Sequence, residues 1–228
     1  MKKVTKILIV FALILLLTAC ESQEAIKEIP TAVVDETSMF GVDKNINIEN
    51  IDEWVGRDDA AYIDVRMLVD PGDYGAIGGD PVLSGTVEGF EVIPYPYIAN
   101  LTGLPEAVAA TQYNGPTLFT ITWDAEGKID TVVANYKESE MIINDVFPKD
   151  KPIFLMCGGG GYAGFTRALL IELGYNPDLL FNIGGFWAYK GDKTVHIKVS
   201  YGENNAYDYN ALHRLDYHLI DFNQLHAN

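Results

Sequence analysis

Short apolar runs punctuated by glycine and proline set the rhythm of this chain. Ala60-Ala61-Tyr62-Ile63-Asp64-Val65-Arg66 reads as a strand that ends in polar residues, and Phe90-Glu91-Val92-Ile93-Pro94 as a second strand stopped by proline. Pro152-Ile153-Phe154-Leu155-Met156 is continuously apolar, the pattern of a strand buried on both faces of a parallel sheet. It runs straight into Cys157-Gly158-Gly159-Gly160-Gly161-Tyr162-Ala163. Phe165, Ala168, Leu169, Glu172 and Leu173 then recur at helical spacing, with Gly174 as a stop and Pro177 beyond it. Leu179 to Ile183 predicts another strand before Gly184-Gly185. Strands alternating with helices imply an α/β fold with a central, mainly parallel sheet flanked by helices. One segment departs from this rhythm. Thr117–Trp123 and Ile129–Tyr136 are β-rich and flank the five-residue loop Asp124–Lys128, which predicts a hairpin inserted at about residues 115–137.

Composition narrows the function classes. The 228 residues suit one domain with appendages, and 48% hydrophobic content is enough for a core. The net charge of −16 repels nucleic acid and anionic headgroups, so no nucleic-acid partner is expected; a small anionic substrate would need a local positive site. No metal and no cofactor is expected. The acidic loop at Asp124 lacks the glycine position and ligand pattern of a calcium loop, and His213 and His218 are five apart, which is not the usual same-face metal spacing on a helix. His196 and His226 complete the histidines, all in the C-terminal part and expected at the surface or in packing. Cys20 and Cys157 are the two cysteines, which rules out a disulfide framework.

The first segment has its own logic. Lys2, Lys3 and Lys6 form a basic start, and Ile7 to Leu17 is an unbroken apolar run, shorter than the ~20 residues a spanning helix needs. This suits a signal peptide over residues 1–19. Leu17-Thr18-Ala19-Cys20 resembles the bacterial lipobox, which implies cleavage before Cys20, lipidation of Cys20 and anchorage by acyl chains such as palmitate. The expected location is the cell membrane, lipid-anchored and facing outside the cytoplasm. Residues 20–45 then read as a lipidated N-terminus and tether, residues 46–192 as the folded domain and residues 193–228 as a tyrosine-rich C-terminal extension.

Cys157 is the candidate for chemistry. Taken alone, it reads better as a buried, inert thiol than as a reactive one, since free cysteine is among the most buried residue types. Its neighbours favour a reactive site. A cysteine at the carboxyl end of a buried strand sits where α/β folds place ligands. Four glycines allow positive φ and inward N–H groups, and the following helix start adds positive potential. That cradle is expected to favour the thiolate, the nucleophilic form. The spacing weighs against cysteine-phosphatase chemistry: it needs arginine six residues after the cysteine, where Ala163 stands, and Arg167 is ten after. A Cys–His hydrolase pair with a distant histidine stays conceivable.

Several segments, in order, resemble the rhodanese family. Ile63-Asp64-Val65-Arg66 is similar to the family's early strand ending in Asp-x-Arg. Gly85-Thr86-Val87-Glu88-Gly89-Phe90 stands in the place of its Gly-His-Ile-x-Gly-Ala segment. Cys157 to Ala163 resembles the active-site loop, followed at the expected distance by Gly174-Tyr175. Asn182-Ile183-Gly184-Gly185-Phe186-Trp187-Ala188-Tyr189 resembles the closing segment. The resemblance covers residues 46 to 192 and implies a rhodanese-like fold. It implies a sulfurtransferase in which Cys157 takes sulfane sulfur from a thiosulfate or persulfide donor as a persulfide and passes it to a thiol or other nucleophile. Gly158, Gly159, Gly160, Gly161, Tyr162 and Ala163 would hold the substrate. Arg66 would order the site or meet the substrate, or else pair with an acidic neighbour. The loop lacks the Arg, Lys, Ser or Thr side chains common in relatives, and Thr86 stands where they often have His; both weigh against thiosulfate as donor. The alternative is a non-catalytic sulfur-binding or redox-sensing module of the same fold.

Overall fold

The computed structural model describes residues 27–66, 85–106, 115–196, 198–201, 207–210 and 220–228. The signal-peptide run 1–19, Cys20, the connection 67–84, His213, Tyr217 and His218 lie outside them. The fold described below belongs to the unit Thr31–Asn228. Its strands are β1 (Ala61–Asp64), β2 (Gly85–Val87), β3 (Glu91–Val92), β4 (Phe119–Trp123), β5 (Ile129–Ala134), β6 (Ile153–Cys157), β7 (Leu180–Gly185), β8 (Thr194–His196), β9 (Lys198–Tyr201) and β10 (Tyr207–Asn210). Its helices are α1 (Tyr95–Ile98), α2 (Ser139–Val146) and α3 (Gly161–Glu172).

The central sheet has the order β3-β1-β6-β7, with every pair parallel. It is an α/β arrangement with helices against the sheet, as the alternating pattern predicts. All five residues of β6 are buried, which explains why its apolar run does not alternate. The two faces still divide by the strand period of two. On one face Tyr62, Phe154 and Phe181 line up in a row of tilted rings, with centroids 5.3 and 5.0 Å apart. On the other, Ile63, Leu155 and Cys157 join the α3 residues Phe165, Leu169 and Leu170 in one cluster. Burying each such large side chain contributes about 1.5–3 kcal/mol, so β6 and α3 form the centre of the core.

Helix α3 ends as its glycine predicts. Gly174 adopts φ 83°, its N–H bonds the Ile171 carbonyl, and the Tyr175 N–H bonds the Leu170 carbonyl. That pair of bonds is the Schellman closure, which favours glycine because it requires a left-handed residue. The hairpin also forms where expected. β4 and β5 pair antiparallel around Asp124–Lys128, and the hairpin joins the domain through a bond from Leu118 N–H to the Tyr97 carbonyl.

The structured unit begins earlier than the tether expectation placed it. Residues 32–48 run beside β7, the edge of the sheet. The Ala32 N–H bonds the Asp178 carbonyl, Asp43 bonds that of Asn182, and Ile48 bonds that of Ile183. Ile46 is fully buried. The segment satisfies backbone groups that an open edge would expose, and this is why a stretch without hydrophobic periodicity is folded. The C-terminal extension contributes as well. β8 pairs antiparallel with β2, Ala227 bridges Tyr136, and Phe222 packs on Tyr97 and Tyr136.

Candidate functional site

Cys157 is the last residue of β6, at the carboxyl end of the sheet, and Gly161 begins α3. Three glycines therefore carry the chain from strand to helix. Gly160 makes the turn with φ 96°, a conformation that L side chains rarely adopt. The turn aims its N–H at the thiol, with Gly160 N 3.1 Å from Cys157 Sγ. The amides of Ala163 and Gly159 also face the sulfur. The nest predicted from the glycine run is thus formed, by backbone donors alone.

Neighbouring elements fix this turn. Across β6 and β7 the register slips, so that Leu155 pairs with Asn182 but Cys157 with Gly185; Gly184, at φ 92°, takes up the difference. The slip brings the loop hard against β7. A Cβ on Gly185 would lie 2.0 Å from the Gly158 carbonyl oxygen, so only glycine fits there. Asn182, 1% exposed, braces the turn. Its amide donates to the Gly160 carbonyl at 3.2 Å and the Phe40 carbonyl at 2.7 Å, while its Oδ1 accepts from Gly184 N–H at 3.0 Å. One buried side chain thereby ties the loop, the bulge and the N-terminal segment together. Nothing in the local sequence marks Asn182 for this role, apart from its place just before the Gly-Gly pair.

The electrostatics differ from the expectation of a favoured thiolate. Burial pushes the Cys157 thiol up, the Asp64 carboxylate pushes in the same direction, and the loop amides only partly offset them. Cys157 is 3% exposed. In the resting geometry the neutral thiol is therefore the favoured form, because the cradle that supplies the amides also removes water.

Asp64 and Arg66 sit at the end of β1, directly beside β6. Asp64 pairs with Met156 across the strands, and its carboxylate accepts from Arg66 Nε at 2.9 Å, from Arg66 Nη2 and from Thr86 Oγ1 at 2.8 Å. Arg66 Nη2 also donates to the Gly85 carbonyl, and the guanidinium lies 4.7 Å from the centre of the Phe186 ring. Arg66 is thus paired with an acidic neighbour, one of the two alternatives its sequence left open. Its Nη1 is buried without a hydrogen-bond partner among the described residues. Thr86 joins the same network as a hydroxyl donor.

The remaining expected site residues divide in two. Gly158, Gly159, Gly160 and Ala163 surround the sulfur or shape the turn. Tyr162 turns its ring away into the core, stacked on Tyr95 with centroids 5.1 Å apart. Trp187 belongs to the segment resembling the family's closing segment, but its sequence assigned it no role at the site. Its backbone N–H donates to the Gly158 carbonyl at 3.1 Å, and its indole lies over the loop, so that a Cβ on Gly158 would come within 2.6 Å of the ring. The residue is half exposed. Cavities of about 340 and 280 Å³ are present, and no residue from 157 to 163 lines either. Among the described residues no cluster of His, Cys, Asp and Glu could hold a metal ion, and no helix is long and apolar enough to cross a membrane. His226 pairs with Glu138 at the surface, remote in role from the cysteine.

Comparisons with protein-family models, with curated proteins and with solved structures find no match.

Proposed function

We propose that this chain is a rhodanese-like sulfurtransferase that carries sulfane sulfur as a persulfide on Cys157. The observation that carries this reading is the sulfur's position: at the carboxyl end of the central parallel strand, faced by the amides of Gly159, Gly160 and Ala163 at the mouth of α3. The order of segments resembling that family supports the same fold. Cys157 first loses its thiol proton to solvent as the donor enters, and the resulting thiolate attacks the outer sulfur of the donor. A new S–S bond forms on Cys157 as the donor's bond breaks, and the electron pair leaves with the departing group. A thiol acceptor then takes the outer sulfur and returns Cys157 to its thiolate. The loop amides hold the negative charge on sulfur through both steps, since oriented N–H donors in a dry site stabilise charge without reorganising. Arg66 acts by holding Asp64 and β2 in place at the edge of the loop. The lipobox-like segment places the protein on the outer face of the membrane through Cys20, and the donor and acceptor are small sulfur compounds.

A sulfur-transfer assay on the purified protein tests this reading. Transfer should be lost in Cys157→Ser, with the fold retained by circular dichroism. Equal rates in the two proteins would refute it. A second reading, a sulfur-binding or redox-sensing module, is favoured by one observation: the 3% exposure of Cys157 under its loop. It predicts that a sulfur adduct forms on Cys157 and is not passed on.

A further inference from the structure

The loop over Cys157 bears no functional side chain, so whatever selects the donor stands around it. Four features define that surround. The Trp187 indole lies on Gly158 and Gly159, with a Cβ on Gly159 placed 3.7 Å from the ring, and 52% of the residue remains in contact with water. Three loop amides are already directed at the Cys157 sulfur. The cation beside the site, Arg66, is matched by the Asp64 carboxylate in a buried pair that adds no net charge. The chain as a whole carries −16. A doubly charged donor such as thiosulfate would enter an aromatic, negatively biased mouth with no cationic side chain on the loop to receive it. An apolar group would instead find the face of an indole.

Resting on the sulfur-transfer reading, we propose that Trp187 is the specificity-determining residue of the Cys157 site: its indole covers the all-glycine loop and selects an organic hydropersulfide, R–S–SH, whose R group is apolar or aromatic and bears no charge. The donor shifts the indole from Gly158, rests R against it and presents its outer sulfur to Cys157. Cys157 gives up its thiol proton as its sulfur attacks, the Cys157–S bond forms as the donor's S–S bond breaks, and RS⁻ departs with the electron pair and takes up the proton that Cys157 released. No external oxidant or reductant enters, since sulfane sulfur moves between two thiols. Glycine at 158 lets the ring lie directly on the loop, since a Cβ there would push the indole away.

The test compares donors on the full purified chain. Benzyl hydropersulfide, its ring-sulfonated analogue, methyl hydropersulfide and thiosulfate are each offered with one thiol acceptor. Benzyl hydropersulfide should exceed the sulfonated analogue and thiosulfate in kcat/KM by about tenfold or more, the scale expected when like charge is brought into a desolvated site. Trp187→Ala should erase the advantage of benzyl over methyl hydropersulfide, and Trp187→Phe should keep most of it. Equal or better use of thiosulfate or the sulfonated donor overturns the proposal and leaves sulfur transfer standing, as does an unchanged benzyl-to-methyl ratio in Trp187→Ala. The wild-type donor comparison decides the charge claim even if Trp187→Ala fails to fold. If no donor places sulfur on Cys157 while iodoacetamide alkylates it, sulfur transfer itself fails, and this proposal with it.

Discussion

Helix α3 has a left-handed glycine at each end, and the two do different things. Gly174 closes the carboxyl end at φ 83°, and a Cβ there would meet nothing within 4 Å. Its requirement is conformational only, set by the Schellman bonds to Leu170 and Ile171. Gly160 opens the amino end at φ 96°, with its amide on the Cys157 sulfur and its carbonyl held by Asn182. An added Cβ would also come 3.4 Å from the Gly184 backbone. The contrast shows that a glycine turn becomes a site only when its amides converge on a reactive atom and its surroundings hold them there.

Substitution at the two positions should separate these roles. Gly160→Ala is expected to have the larger effect: a stability loss of about 1–2 kcal/mol from the forced left-handed alanine, together with loss of most sulfur loading on Cys157 as the nest distorts. Gly174→Ala should cost about 1 kcal/mol in chemical denaturation and leave sulfur transfer per folded molecule unchanged. Similar transfer losses in both variants, corrected for folded fraction, would remove the distinction.

A smaller effect appears in the pH dependence. Burial raises the Cys157 thiol, so the midpoint of its alkylation rate should lie above the ~8.5 of an unburied thiol. The folded state keeps the proton longer than the unfolded chain. The stabilisation from burying a neutral thiol is therefore complete below the ordinary thiol range and is lost as pH rises toward the folded-state value. Alkylation against pH, followed by mass spectrometry, checks this; a midpoint below 8.5 would contradict the burial account.

The amino-acid pattern exposed one end of α3 better than the other. Gly174 and Pro177 marked the stop, the apolar run before Cys157 marked the buried strand, and the glycine run after it marked the nest, because these signals are local. The hairpin loop at Asp124–Lys128 was equally readable. The bracing around Gly160 was not. Asn182 reaches Phe40 across 142 residues, and residues 32–48 fold through backbone bonds to an edge strand, which leave no periodicity. The glycine loop also suggested a favoured thiolate, because donors are visible in a sequence while loss of water is not. Burial and Asp64 outweigh those amides. Trp187 was legible only as part of the closing segment, because its place over Gly158 depends on the strand register that ends at Gly185.

The central claim is that Cys157 carries a transferable sulfur. Its most direct test is a pulse and chase: treat the full chain with hydropersulfide, remove the donor, record intact mass, then add an acceptor thiol. The account predicts a gain of one sulfur atom located on Cys157, its disappearance into the acceptor, and no gain in Cys157→Ser. A sulfur adduct that survives the acceptor, or one that forms equally in Cys157→Ser, would contradict it.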